Sequence, residues 1–82
     1  MINLKNKKVL ITGASGGIGN AIVKKFVSLD AEVLGTGTNL EKLDKLRKEN
    51  PKIKTKKFDI SQHSKIEEFM DEVFADLGGI DI

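Results

Sequence analysis

The sequence predicts an α/β fold: half of a doubly wound parallel sheet, in the order β-α-β-α-β-α, followed by a truncated fourth strand. Three observations carry this expectation. Short apolar runs rich in β-branched residues alternate with longer amphipathic stretches. The first run, Lys8 to Thr12 (KVLIT), lacks the polar alternation of a half-wet strand and suits one buried on both faces. A glycine cluster, Gly13 to Gly19, falls between that run and the helical pattern after it. A chain of 82 residues has room for one such unit and not for two domains. Residues 1–82 show no linker, internal repeat or low-complexity segment.

Each element follows from its own pattern. Ile18, Ile22 and Phe26 recur every four residues, with Val23 and Val27 beside them and Lys24 and Lys25 opposite. This predicts an amphipathic helix of about three turns ending near Asp30, with that stripe in the core. Glu32 to Thr36 (EVLGT) reads as a second strand closed by Gly37. Leu40, Leu43 and Leu46 mark a second helix, capped by Asn39 and stopped at Asn50-Pro51. Ile53 to Phe58 alternates apolar residues or Thr with Lys, the mark of an edge strand with one wet side. Ser61 is expected to cap a third helix with the stripe Ile66, Phe69, Met70, Val73, Phe74 and Leu77, ended by Gly78-Gly79. Ile80-Asp81-Ile82 opens a fourth strand. Right-handed crossovers then give the strand order 3-2-1-4, with the outer edge of the first strand poorly covered and prone to aggregation.

Composition excludes several functions. With Cys 0 and His 1 there is no thiolate nucleophile, disulfide or cysteine zinc site, and no metal site is expected. Lys42 to Lys57 carries eight basic residues against Asp44 and Glu49, and Asp59 to Ile82 carries seven acids against Lys65. These charges read as solvated helix faces and strand edges. Thirteen of the 14 basic residues are lysine, and the basic stretch lacks aromatic partners, so nucleic acid is not an expected ligand. Apolar runs of a few residues cannot span a bilayer, and the charges within Met1 to Lys8 do not suit a signal peptide. A cytoplasmic setting is the expectation. His63 stands alone near a predicted helix start and reads as exposed and inert.

The chemistry lies in Thr12-Gly13-Ala14-Ser15-Gly16-Gly17-Ile18-Gly19. Glycines let the backbone of a tight turn approach a ligand, and the free N–H groups and dipole of the following helix favour an anion. Gly13, Ala14, Ser15, Gly16, Gly17 and Ile18 thus form a candidate diphosphate cradle, to which Ser15 adds a hydroxyl. Gly19 permits close packing of helix on strand. A P-loop is excluded, because no Gly-Lys-Ser/Thr follows. In its strand–loop–helix context the cluster predicts the dinucleotide-binding half of a Rossmann fold.

The run from Thr12 to Gly19 fits Thr-Gly-x-x-x-Gly-Ile-Gly and resembles the short-chain dehydrogenase/reductase family. Asp59-Ile60, at the end of the third strand, is a second match, and the resemblance implies that Asp59 contacts an adenine ring. Gly79-Ile80-Asp81-Ile82 resembles the family's approach to an Asn-Asn-Ala-Gly segment, which implies that the chain is the amino-terminal piece of a longer enzyme. Such an enzyme passes hydride between a nicotinamide and a carbonyl carbon, using a tyrosine, a lysine and a serine, and is a homo-oligomer. This chain has Tyr 0, and Ser15, Ser28, Ser61 and Ser64 do not match the catalytic serine segment, so no catalytic residue is assigned. Ile11 to Ser15 and Gly35 to Thr38 resemble the 3-oxoacyl-acyl-carrier-protein reductases of fatty acid biosynthesis, which implies a carrier-linked substrate for the intact protein. Reductases or dehydrogenases of other small alcohols and sugars share this half. A non-catalytic dinucleotide-binding or regulatory module is a further alternative. A flavodoxin-like domain would not need Gly13, Gly17 and Gly19 together.

An acid at the end of the second strand would hold the 2′-hydroxyl of NAD and repel the 2′-phosphate of NADP. Gly37, Thr38 and Asn39 occupy that position without an acid, and Lys42 follows one turn later. Thr38 and Asn39 offer donors to a phosphate. NADP is the expected cofactor, with NAD possible.

Overall fold

The computed structural model describes residues 3–82. The elements are β1 (Lys8–Ile11), α1 (Gly17–Ser28), β2 (Glu32–Gly37), α2 (Leu40–Glu49), β3 (Lys54–Lys57) and α3 (Ile66–Leu77), with a 3-10 turn at His63–Lys65 before α3. All strand pairs are parallel, in the order β1-β2-β3. The outer edge of β1 is met by the last residues of the chain. Leu10 N–H donates to Ile82 O at 2.9 Å, Asp81 N–H to Lys8 O at 2.7 Å, and Lys8 N–H to Asp81 Oδ2 at 2.7 Å. The order 3-2-1-4 is thus present, with residues 80–82 as a hydrogen-bonded edge segment too short for a strand. The β1 edge is therefore covered only at Lys8 and Leu10.

Two-residue periodicity sorts the sheet into two faces. Val9, Ile11 and Val33 join Val23 of α1 and Leu46 of α2 in one cluster. On the opposite face Leu34 packs with Phe69, Val73 and Leu77 of α3, with Leu10 partly buried against them. The ring of Phe58 stacks on Phe69 with centroids 4.0 Å apart. As expected, β3 is the edge strand. Lys56 reaches Glu72 at 3.4 Å and Asp76 at 3.5 Å on α3, so the basic and acidic segments meet there. Partly exposed pairs of this kind stabilise little.

Three expectations are corrected. In α1 the core face is Gly19 and Val23, with Phe26 and Val27 partly buried, whereas Ile18 is 83% exposed and Ile22 40%. The helix is rolled by its glycine: a Cβ on residue 19 would lie 2.0 Å from Gly13 O, so only that bare position can face the loop. Ser61, for its part, does not cap α3. Lys65 stands at the cap position without a side-chain bond, and Ser61 is engaged two residues back, on Asp59. The other termini follow the sequence reading. Asn39 Oδ1 accepts Lys42 N–H at 3.1 Å, Asn50 closes α2, and Gly78 ends α3 at φ +79°. Within α3, Ile66 and Phe74 lie outside the buried stripe.

The roll of α1 is testable. Val23→Ala, which empties a fully buried position, should cost about 2 kcal/mol. Ile18→Ser should stay within about 0.5 kcal/mol of wild type. Urea unfolding midpoints compare them directly, and the reverse ranking would restore the Ile18 stripe to the core.

Candidate functional site

Because the strands are parallel, their carboxyl ends open on one rim of the sheet, where β1 leads into Thr12–Gly16, β2 into Thr38-Asn39 and β3 into Phe58–Ile60. Every residue singled out in the sequence as a candidate ligand contact lies in these segments or in the first turn of α1. Their conformations explain the glycines. Gly13 adopts φ +63°, a left-handed conformation that a side chain disfavours. Gly16 N–H closes a turn onto Gly13 O at 3.2 Å, and Ala14 N–H donates to Thr36 O at 2.9 Å, tying the loop to β2. Within the loop, the Ala14 side chain is fully buried.

Two glycines in β2 matter as much, and the sequence reading gave them no such role. A Cβ on Gly35 would lie 2.8 Å from Ala14 Cβ, and one on Gly37 would lie 2.8 Å from Ser15 Oγ. The loop therefore rests on a bare part of the neighbouring strand. The signal for this was present in the alternation Gly35-Thr36-Gly37, since glycine inside a strand often marks a close backbone approach.

The first turn of α1 is open. Gly16 at its cap position supplies no side-chain acceptor, and Asn20 N–H is the first to close, onto Gly16 O at 2.8 Å. Among the described residues the N–H groups of Gly17, Ile18 and Gly19 have no acceptor. The cap on α2, where Asn39 does this work, makes the contrast within the same molecule. A Cβ on Gly17 would meet nothing within 4 Å. Three donors at the positive end of a helix, beside an uncovered main chain, fit an anion such as a diphosphate.

The rest of the rim carries Thr38, Asn39, Asp59 and Ile60, all exposed. Asn39 Oδ1 is occupied by its capping bond, which leaves the amide nitrogen as the group it offers outward. Asp59 Oδ1 accepts both Ser61 Oγ–H at 2.7 Å and Ser61 N–H at 2.9 Å. The Ser61 hydroxyl, with the backbone N–H second, holds the Asp59 carboxyl below the ordinary 3.8. Folding thus favours the charged form, a contribution present above the ordinary value and lost as pH falls through the lowered one. His63 lies exposed at the start of the 3-10 turn. Two buried polar atoms lack partners among the described residues, Asn20 Oδ1 and Thr36 Oγ1, and nothing in the sequence pattern marked them.

A cavity of about 360 Å³ lies at the opposite rim, between the ends of α1 and α2, where Val27, Ala31, Asn50 and Ile53 line it. It has no glycine turn and no helix N-terminus, so this cavity and the anion-binding chemistry are at different ends of the sheet. No helix among the described residues is long and apolar enough to cross a membrane.

A sequence model of the short chain dehydrogenase family matches residues 7–82. Nodulation protein G of Rhizobium sp. (strain N33) is 37% identical over 83 residues, covering all of this chain and 34% of that protein. A 3-oxoacyl-acyl-carrier-protein reductase of Rickettsia conorii is 52% identical over 48 residues, covering 58% of this chain and 20% of that one. Among solved structures, a short-chain dehydrogenase/reductase from Brucella melitensis, described as a glucose/ribitol dehydrogenase, superposes with a TM-score of 0.85. It is 33% identical and covers 99% of this chain and 36% of its own. The chain thus spans about a third of the length of its full-coverage relatives.

Proposed function

This chain belongs to the short-chain dehydrogenase family, and on that premise we propose that it is the NADP-binding amino-terminal part of a short-chain reductase. The observation that carries the reading is the uncapped first turn of α1 beside Gly17, on the rim that ends β2 without an acid. Gly17, Ile18 and Gly19 offer N–H groups to the diphosphate, with Gly13, Ala14, Ser15 and Gly16 shaping the turn. Thr38 and the Asn39 amide offer donors to a 2′-phosphate, and Asp59 and Ile60 border the adenine. Ile18, Leu40 and Ile60, each more than half exposed, give the base and ribose apolar surface to cover.

The bound dinucleotide would supply the hydride. This chain's residues hold and orient it and move no proton, because the chain has no tyrosine to serve as the family's donor. For the intact enzyme the reaction proposed is reduction of a 3-oxoacyl thioester on an acyl carrier protein to the 3-hydroxyacyl thioester, in a cytoplasmic homo-oligomer. The Rickettsia relative, 52% identical over 48 residues, supports that substrate. The Brucella structure, matching along almost the whole chain, favours a second reading in which the substrate is a sugar or polyol.

Titration of the 82-residue chain with NADPH and NADH tests the cofactor. NADPH should bind about tenfold more tightly, the effect of one charge-assisted hydrogen bond to the extra phosphate. Equal affinities would overturn the preference. The chain alone should show no carbonyl-dependent NADPH oxidation above a buffer blank, and turnover would overturn its non-catalytic role.

A further inference from the structure

The bonding of Asp59 goes beyond the family motif. Its Oδ1 takes two hydrogen bonds from one residue, the Ser61 N–H and hydroxyl, while the backbone continues the turn with Gln62 N–H on Asp59 O at 3.0 Å. The hydroxyl is not needed to begin α3, which starts five residues after Ser61 beyond the 3-10 turn. Asp59 Oδ2 has no partner among the described residues, in an exposed position on the rim where β3 ends. A carboxylate on a free side chain rotates and presents either oxygen in many directions. One held by two donors at Oδ1 presents only Oδ2, in one direction.

We propose that Ser61 is a positioning residue for base recognition: it pins Asp59 through Oδ1 so that Oδ2 is the acceptor offered to the exocyclic amino group of adenine. This rests on the dinucleotide reading above and adds to it the residue that sets base specificity. A base bearing a 6-oxo group instead of the 6-amino group would set two acceptors against each other, which a pinned carboxylate cannot avoid by turning away. A free carboxylate can turn into solvent, so it discriminates poorly.

The test compares binding of NADPH and its 6-oxo (hypoxanthine) analogue to the full 82-residue chain. Wild type should prefer the adenine form about tenfold, the worth of a hydrogen bond to a charged acceptor. Ser61→Ala should reduce that preference to about threefold or less, mainly by weakening the adenine form, and Ser61→Thr, which keeps the hydroxyl, should restore it. A merely structural Ser61 would lower both affinities alike and leave their ratio unchanged, which would overturn the proposal. Retention of the full preference by Ser61→Ala would overturn it too, while leaving the dinucleotide reading intact. If wild type bound neither compound, the dinucleotide reading would fail and this inference with it.

Discussion

Replacing Gly19 with alanine is expected to lower the melting temperature of the chain by about 10 °C. The added Cβ would stand 2.0 Å from Gly13 O, 2.8 Å from Gly13 C and 2.9 Å from Ala14 Cα. All three are backbone atoms, so no rotamer change relieves the contact. Either the loop or the helix must move. The loop is held by Ala14 N–H on Thr36 O, and the helix by Val23, which is fully buried one turn later. Alanine does gain about 1 kcal/mol over glycine in helix propensity. Overpacking costs about 1–3 kcal/mol, and more when backbone must shift, so the clash wins by about 2 kcal/mol. At about 4–8 °C per kcal/mol for a domain of this size, that gives the stated change. Thermal unfolding followed by circular dichroism measures it, and an unchanged midpoint would show that the loop and α1 are not in contact at residue 19.

The same glycine explains what sequence periodicity could and could not deliver. Strand and helix alternation, the Asn39 cap, the Asn50-Pro51 stop and the lysine-rich edge strand are local devices, each with a residue type whose chemistry admits few other roles. The structure has them where the patterns put them. The face of α1 is different. Ile18, Ile22 and Phe26 form one apolar row and Gly19, Val23 and Phe26 another, and hydrophobicity ranks the first row higher. Burial follows the second row because the closest backbone contact in the loop leaves no space for any side chain at residue 19. A glycine contributes almost nothing to an apolar count, so a count cannot see it. Ser61 escaped for a similar reason. A serine ahead of a helix and a serine two residues after an aspartate are equally good local hydrogen-bonding arrangements, and here the aspartate takes both donors. The candidate site was legible because glycine spacing encodes backbone shape directly. The support beneath it from Gly35 and Gly37 was signalled only by their alternation in β2, because the loop atoms that those bare positions meet, Ala14 Cβ and Ser15 Oγ, are set by tertiary packing.

At Gly17, two residues away, the opposite outcome is expected: Gly17→Leu should weaken NADPH binding about a hundredfold while leaving the unfolding midpoint at or above wild type. Gly17 is the first residue of α1, without a positive φ, and a Cβ there meets nothing within 4 Å, so the folded chain accommodates the side chain without strain. Leucine is also the better helix former. The cost falls on the ligand. Phosphate oxygens must come within about 2.7–3.2 Å of the donors they use, and a branched side chain rising from residue 17 occupies the space above the N–H groups of Gly17 and Ile18. Losing two charge-assisted hydrogen bonds at about 1.5 kcal/mol each gives about 3 kcal/mol, a little over a hundredfold in affinity. Gly17→Ala, with one carbon in that space, should show a smaller loss, so affinity should fall with side-chain size at constant stability. Isothermal titration of wild type, Gly17→Ala and Gly17→Leu against NADPH, paired with their melting curves and that of Gly19→Ala, separates the two glycines. Undiminished affinity in Gly17→Leu would mean that the dinucleotide does not use the open turn of α1.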